Sequence, residues 1–386
     1  MISGFHFACP GEIFFGEGCV HSNAPVFSRC GQRAYIVTGR FPPGVKNLAL
    51  EDTCSVLDGL GIAYSVDDNT ESDPSVESCV EMLQRVKSFQ PDFFIGIGGG
   101  SVMDSVKCCN ILLKHPGMDP YEVLFDNGEH VFGVGGPNEG LLPFISIATT
   151  AGTGADITGV AVMTRADIDN KCGTNKRCFA NFVMVDPRYV MKCPTKLNQA
   201  TAVDALCHGL ETYLSRGSAD DFMTNFIAER AFALFASFKD RLLTDTMTEE
   251  DSVNQALHST LQGICIVNEV TGVPHGLGYP LSHYFNIPHG LACGVFEGEY
   301  LRIFKDRTRV DRALALMGFG SVDEFCEYIQ AILTPHIHLS VTEADIDDWT
   351  RVFCATPWRM ARHPEPLTED MVREIYRRAL AKFIVD

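Results

Sequence analysis

No apolar run in the 386-residue sequence reaches the ~18 residues that a membrane-spanning helix requires, so no such helix is expected and no membrane partner. Positive charge is scarce: 31 Lys and Arg face 49 Asp and Glu, for a net charge of −18. Phosphate backbones need clustered cations, which removes nucleic acid from the expected partners. The cysteines number fifteen, an odd count, scattered from Cys9 to Cys354 without a CxxC pair. That excludes zinc-ribbon and thioredoxin-type motifs and speaks against a disulfide framework. The N-terminus lacks the charged-then-apolar pattern of a secretory leader, and a reducing cytoplasm is the expected location. Internal repeats and low-complexity linkers are also missing. What remains is ordinary globular material, 46% hydrophobic and 21% charged. At roughly 150 residues per domain, the length predicts two domains.

The first half alternates short β-rich runs with helical periodicity. Ala34 to Thr38, Gly61 to Val66, Asp92 to Ile97 and Phe144 to Ile147 read as strands. Between the second and third, Val76, Val80, Leu83 and Val86 recur at helical spacing, with Pro74 at a first helical position behind Asp73 as N-cap. Strands alternating with helices predict a mainly parallel sheet in an α/β domain, residues 1–188. From about Pro194 helix follows helix, as in Asp221 to Leu243 and Glu249 to Val267, which predicts an all-α domain over 189–386. Phe222, Phe226, Phe232, Phe235 and Phe238 fall on one stripe of the first of these helices and read as core packing.

Two loops have the composition of a nucleotide site. Asp92-Phe-Phe-Ile-Gly-Ile-Gly-Gly-Gly-Ser101 runs from a strand into a helix, and its glycines allow a tight turn and close approach to a ligand. Free N–H groups at the helix start favour a pyrophosphate. The spacing Gly96-x-Gly98-x-x-Ser101 approximates the dinucleotide fingerprint, without the acidic residue about 20 positions on that marks a ribose contact. Ala148-Thr-Thr-Ala-Gly-Thr-Gly154 follows the next strand with three hydroxyls and two glycines. Two such loops after strands of one sheet point to a ligand across its carboxyl edge.

A second constellation is metal-like. Asp204-Ala-Leu-Cys-His208 sets a carboxylate and an imidazole at i and i+4, on one helix face. Pro274-His275-Gly276 and Pro288-His289-Gly290 add two histidines flanked by residues that fix the backbone and leave space beside the ring. One Asp and three His suit divalent iron or zinc. Asp/His pairs at this spacing are also common on solvated helix faces, and each loop histidine by itself has an ordinary reading.

Taken together, Gly98-Gly-Gly-Ser-Val-Met-Asp104 with Lys107, Thr149-Thr-Ala-Gly-Thr-Gly154, Val185-Asp-Pro187, Asp204-Ala-Leu-Cys-His-Gly-Leu-Glu211 and Ile287-Pro-His-Gly290 resemble the iron-containing (group III) alcohol dehydrogenase family. The likeness runs from Phe14-Phe-Gly16 to the helix near Met371 to Ala381. The resemblance implies an N-terminal nucleotide domain and a C-terminal helical metal domain, with Asp204, His208, His275 and His289 as ligands of the catalytic ion, Fe²⁺ before Zn²⁺. It also implies that Gly98, Gly99, Gly100 and Ser101 hold the cofactor pyrophosphate and that Asp104 lies toward the nicotinamide. Thr149, Thr150 and Thr153 would contact cofactor, and Lys171 would lie near the nicotinamide ribose. The activity implied is hydride transfer between NAD(P)(H) and a short alcohol or aldehyde, in a homodimer. No cysteine is needed for that site.

Several positions depart from the family pattern. Ala148 stands where proline usually precedes the paired threonines, and Ala155-Asp156 replaces Ser-Glu. Tyr279 occupies the position of a histidine, and is expected to take over proton transfer, to leave it to water or to define a different substrate. Thr38-Gly39-Arg40 replaces the stretch whose aspartate would bond an adenine ribose. Losing a carboxylate and gaining Arg40 predicts NADP(H) over NAD(H), since the guanidinium pairs with a 2′-phosphate. Gly278-Tyr-Pro-Leu-Ser-His283 is similar to the phosphonoacetaldehyde-reducing subgroup, which points to an anionic head group. A metal-dependent lyase or hydrolase on the same fold is the alternative, but it leaves both nucleotide-type loops without a task. A binding protein without activity would have no reason to keep all four ligand positions.

Overall fold

The computed structural model describes residues 5–40, 46–125, 138–191 and 193–385. It divides into two compact units, one of Ala8–Cys193 and one from Pro194 onward that also takes in the stretch before Ala8.

The first unit is built on a six-stranded sheet. Its strands are β1 (Glu12–Phe15), β2 (Arg33–Gly39), β3 (Ala63–Thr70), β4 (Phe93–Gly98), β5 (Phe144–Ala148) and β8 (Phe182–Val185), ordered β1-β8-β5-β4-β2-β3 and all parallel. β4 and β5 are buried along their whole length, as strands covered on both faces must be. A separate antiparallel pair, β6 (Val162–Arg165) and β7 (Asn170–Gly173), completes the strands. Helices α1 (Leu48–Leu60), α2 (Val76–Phe89) and α3 (Gly100–Lys114) make the crossovers. The cap of α2 differs from the sequence reading: Ser75, not Asp73, is the N-cap, its Oγ accepting from the Ser78 amide. Asp73 instead adopts φ of 53°, a turn conformation ahead of Pro74.

The second unit is helical, as the loss of period-2 patterning predicted. Helix α4 (Thr195–Leu214) is buried on all sides from Gln199 to Leu214, the mark of a helix at the centre of its unit. Around it lie α5 (Phe222–Leu243), α6 (Glu249–Asn268), α7 (Val273–Phe285) and α8 (His289–Arg302). Capping sets their starts: Asp221 Oδ1 accepts from Met223 and Thr224, and Thr248 forms a capping box with Asp251. The phenylalanine stripe of α5 is only partly core. Phe232, Phe235 and Phe238 are fully buried, whereas Phe222 and Phe226 are 46% and 62% exposed and stack on each other. They lie one turn apart on the outer face of the first two turns, whose other face, with Thr224 and Ala228, is buried. No helix among the described residues is long and apolar enough to cross a membrane.

Candidate active site

In the first unit the sheet register brings the two loops side by side. Gly98 at the end of β4 pairs with Ala148 at the end of β5, so both loops leave the same carboxyl edge together. Thr149 N then donates to Gly98 O at 3.0 Å. The glycines are demanded by proximity: a Cβ on Gly99 would lie 2.8 Å from Thr150 Oγ1, and one on Gly100 3.2 Å from Thr153 Cγ2. Gly98, Gly99, Gly100, Thr149, Thr150 and Thr153 therefore form one surface, above which the 15-residue helix α3 opens its unpaired N–H groups. Ser101 faces sideways, its Oγ accepting from the Asp73 amide at 3.1 Å.

Lys171 and Asp104 are engaged within the protein. Lys171, on β7, places Nζ 3.0 Å from Asp73 Oδ1, which brings it to the flank of the glycine loop. Asp104 Oδ1 lies 3.1 Å from Lys107 Nζ, and its Oδ2 accepts from the Val162 amide at 2.9 Å. Its buried carboxylate thus ties α3 to β6. Gly39 ends β2, and Arg40 just beyond is exposed, its Nη2 donating to Asn69 Oδ1 near the end of β3.

In the helical unit, three helices each present two side chains one turn apart. Helix α4 carries Asp204 and His208, α7 carries His275 and Tyr279, and α8 carries His289 and Cys293. His275 and His289 sit in the first turns of helices rather than in loops, because Pro274 and Pro288 begin those helices instead of interrupting them. Asp204 Oδ1 lies 3.6 Å from His275 Nε2 and 3.7 Å from His208 Nε2, and the His208 and His275 rings stack with centroids 4.5 Å apart. One donor atom from each of Asp204, His275, His289 and Cys293 falls within 4.8 Å of the others. His208 borders this set through Asp204 and His275.

The donors fit a divalent ion. Asp204 Oδ1 and His275 Nε2 are both buried and neither has a hydrogen-bond partner among the described residues, an arrangement that is costly without a charge to share. Separations of 3.6 and 3.7 Å are too long for hydrogen bonds. They lie at or just beyond the edges of a tetrahedron with bonds of about 2.0–2.2 Å, for which geometry requires about 3.3–3.6 Å.

Glu211, part of the α4 motif but given no task by the sequence, orients this site. It accepts from the Gly272 amide at 2.7 Å and the His275 amide at 3.2 Å, and it accepts a further hydrogen bond from His275 Nδ1. That fixes the tautomer and aims Nε2 at Asp204. Burial pushes the Asp204 carboxyl up, but the imidazoles of His208, His275 and His289 outweigh it and hold the group at about 2. Glu297, also unforeseen, is fully buried, and burial together with the charge of Glu211 raises its carboxyl well above the usual range.

Beside the donors, the Tyr279 ring stacks on His289 with centroids 5.8 Å apart. Its hydroxyl accepts from Arg359 Nη2 at 3.3 Å, and the guanidinium lies 4.9 Å above the Tyr279 ring and 4.6 Å from the Trp358 ring. Arg359 Nη1 is buried and has no hydrogen-bond partner among the described residues.

Residues 10–187 match the family model described as iron-containing alcohol dehydrogenase, and 198–380 match the model for the C-terminal part of that family. The chain is 27% identical over 397 residues to alcohol dehydrogenase 4 of Schizosaccharomyces pombe, covering 97% of this chain and 89% of that one. It is 28% identical over 293 residues to sulfoacetaldehyde reductase of Bilophila wadsworthia, covering 73% and 70% respectively. An iron-containing alcohol dehydrogenase from Thermotoga maritima superposes with a TM-score of 0.86 at 29% identity, over 98% of this chain and all of that one.

Proposed function

The chain belongs to the iron-containing alcohol dehydrogenase family, and from that premise we propose that it is a metal-dependent aldehyde reductase that uses NADP(H) and acts on short aldehydes bearing an anionic group. The observation that carries the metal-dependent reading is the pair of buried, unpartnered atoms, Asp204 Oδ1 and His275 Nε2, turned toward each other.

Asp204, His208, His275 and His289 would hold the ion, and the loops Gly98 to Ser101 and Thr149 to Thr153 would hold the cofactor. When bound, the ion supplies Lewis-acid polarisation of the substrate oxygen and the nicotinamide supplies the hydride. The protein's own work is positional and electrostatic. Glu211 locks His275, the charge of Asp204 offsets part of the cation, and the buried flanks of α4, α7 and α8 exclude water. Tyr279 Oη is the protein group suited to deliver the proton that the product alcohol requires, and Arg359 holds that hydroxyl in place.

The free donor of Arg359 supports an anionic substrate, since a guanidinium with an unused N–H is suited to a carboxylate, sulfonate or phosphonate. Arg40 at the end of β2 supports NADP(H).

The test is a panel of neutral and anionic short aldehydes assayed with NADPH and with NADH, on protein reloaded anaerobically with Fe²⁺ or Zn²⁺. NADPH is expected to give the higher kcat/KM, and Arg40→Ala to narrow the NADPH/NADH ratio about 10-fold, the value of one charge-assisted bond. Equal efficiency with NADH would refute the NADP(H) reading. Arg359→Ala is expected to lower the ratio of kcat/KM for anionic over neutral aldehydes by about 10- to 100-fold. An unchanged ratio would remove Arg359 from substrate selection. Failure to oxidise nicotinamide with any aldehyde would favour the lyase or hydrolase alternative.

A further inference from the structure

We propose that Cys293 ligates the divalent ion as a thiolate, so that the site is a mixed Asp/His/Cys centre that prefers Zn²⁺ to Fe²⁺. The inference rests on the metal-dependent reading above and deepens it.

Cys293 follows His289 by one turn of α8, so the two side chains share a face. Its Sγ lies 3.8 Å from His289 Nε2 and 3.9 Å from Nδ1. A tetrahedral ion with bonds of about 2.3 Å to sulfur and about 2.0–2.1 Å to nitrogen holds these atoms about 3.6 Å apart. The observed spacing is thus close to one ligand edge, as the separations around Asp204 Oδ1 are to others. Cys293 is fully buried, at 0% exposure, and packs in the hydrophobic core of its unit, yet its sulfur lies within 4.8 Å of donor atoms of Asp204, His275 and His289. Independently of the cysteine, Asp204 Oδ1 and His275 Nε2 are buried, lack partners, and point to the same place. The thiol therefore lines a site whose other walls already call for a cation. Cys207 makes the contrast: one residue from His208, it is not among the four donors that fall within 4.8 Å of one another.

On binding, the S–H bond of Cys293 breaks, a sulfur–metal bond forms, and the proton leaves to solvent; nothing is oxidised or reduced. A soft thiolate changes the preference of the site. Asp and His alone accept iron and zinc alike, whereas added sulfur favours zinc and its spectroscopic surrogate cobalt.

Cobalt(II) reads sulfur ligation directly. The full-length protein, stripped of metal and titrated anaerobically with Co²⁺, is expected to show visible ligand-field bands together with an intense near-ultraviolet sulfur-to-cobalt charge-transfer band. In Cys293→Ser and Cys293→Ala that band should vanish while the ligand-field bands persist. Zn²⁺ affinity should fall by about 100-fold or more, above the usual cost of losing a mere orienting partner, with a smaller loss for Fe²⁺. Wild-type protein that binds Co²⁺ without a charge-transfer band would overturn sulfur ligation and leave the metal site standing. Protein that binds no Co²⁺ would overturn both. The serine variant keeps size and burial, and thermal melting of both variants separates ligand loss from misfolding.

Discussion

Asp204→Ala is expected to lose its divalent ion and its reductase activity together. Asp204 is the carboxylate among the donors, sits on the most buried helix of its unit, and approaches two imidazole nitrogens at hydrogen-bond-excluding distances. Removing it takes away a ligand and the negative charge that makes a buried cation tolerable. Lewis-acid stabilisation is worth several kcal/mol, so kcat/KM for aldehyde reduction should fall by about 1,000-fold or more. Metal content after purification without chelators, measured beside kcat/KM, checks the pairing of the two losses. Asp204→Asn sharpens the test because it keeps shape and one oxygen while removing the charge. Its metal affinity should lie between those of wild type and the alanine variant. Full metal occupancy in Asp204→Ala would show that the aspartate only packs beside the histidines.

The site was legible in the sequence to different depths. Asp204 and His208 could be paired because the residues around them are plainly helical, so the i,i+4 rule applied directly. The same rule holds for His275 with Tyr279 and His289 with Cys293, but the flanking prolines and glycines resemble turn signals, which hid the helical phase. Proline in the first turn or just ahead of a helix is equally ordinary, and reading Pro274 and Pro288 that way would have brought Cys293 into view. Glu211 and Glu297 were hidden for another reason: their roles depend on which backbone amides and carboxylates meet across helices, which local pattern does not encode. In the α/β unit, β2, β4 and β5 announced themselves by apolar runs. The four-residue strands β1, β6, β7 and β8 are too short for a period to register. The loop glycines suggested close approach to a ligand; the protein groups that approach them, Thr150 and Thr153, emerge only from the β4–β5 register.

A second large effect is expected at Gly290, which carries no donor. It follows His289 in the first turn of α8, and a Cβ there would lie 2.1 Å from the backbone oxygen of Ala200 and 2.6 Å from Asp204 Cβ. Both obstacles belong to α4, and a backbone carbonyl in a buried helix cannot rotate aside as a long side chain can. Gly290→Ala must therefore lift the start of α8 away from α4, separating His289 from Asp204. Overpacking costs up to about 3 kcal/mol, which for a unit of this size is a Tm lower by roughly 6–12 °C. Because the displaced turn carries a ligand, metal affinity should fall with it. Gly59→Ala is the matched control, since a Cβ on Gly59 meets nothing within 4 Å and it lies inside α1. There alanine should leave the ion in place and raise stability by about 0.5–1 kcal/mol through helix propensity. Thermal melting with and without added metal, run on both variants, reads the two terms separately. A Gly290→Ala protein that melts like wild type and retains its ion would mean that α8 is not held against α4 by this contact, and that the donor atoms are positioned by α7 and its Glu211 anchor instead.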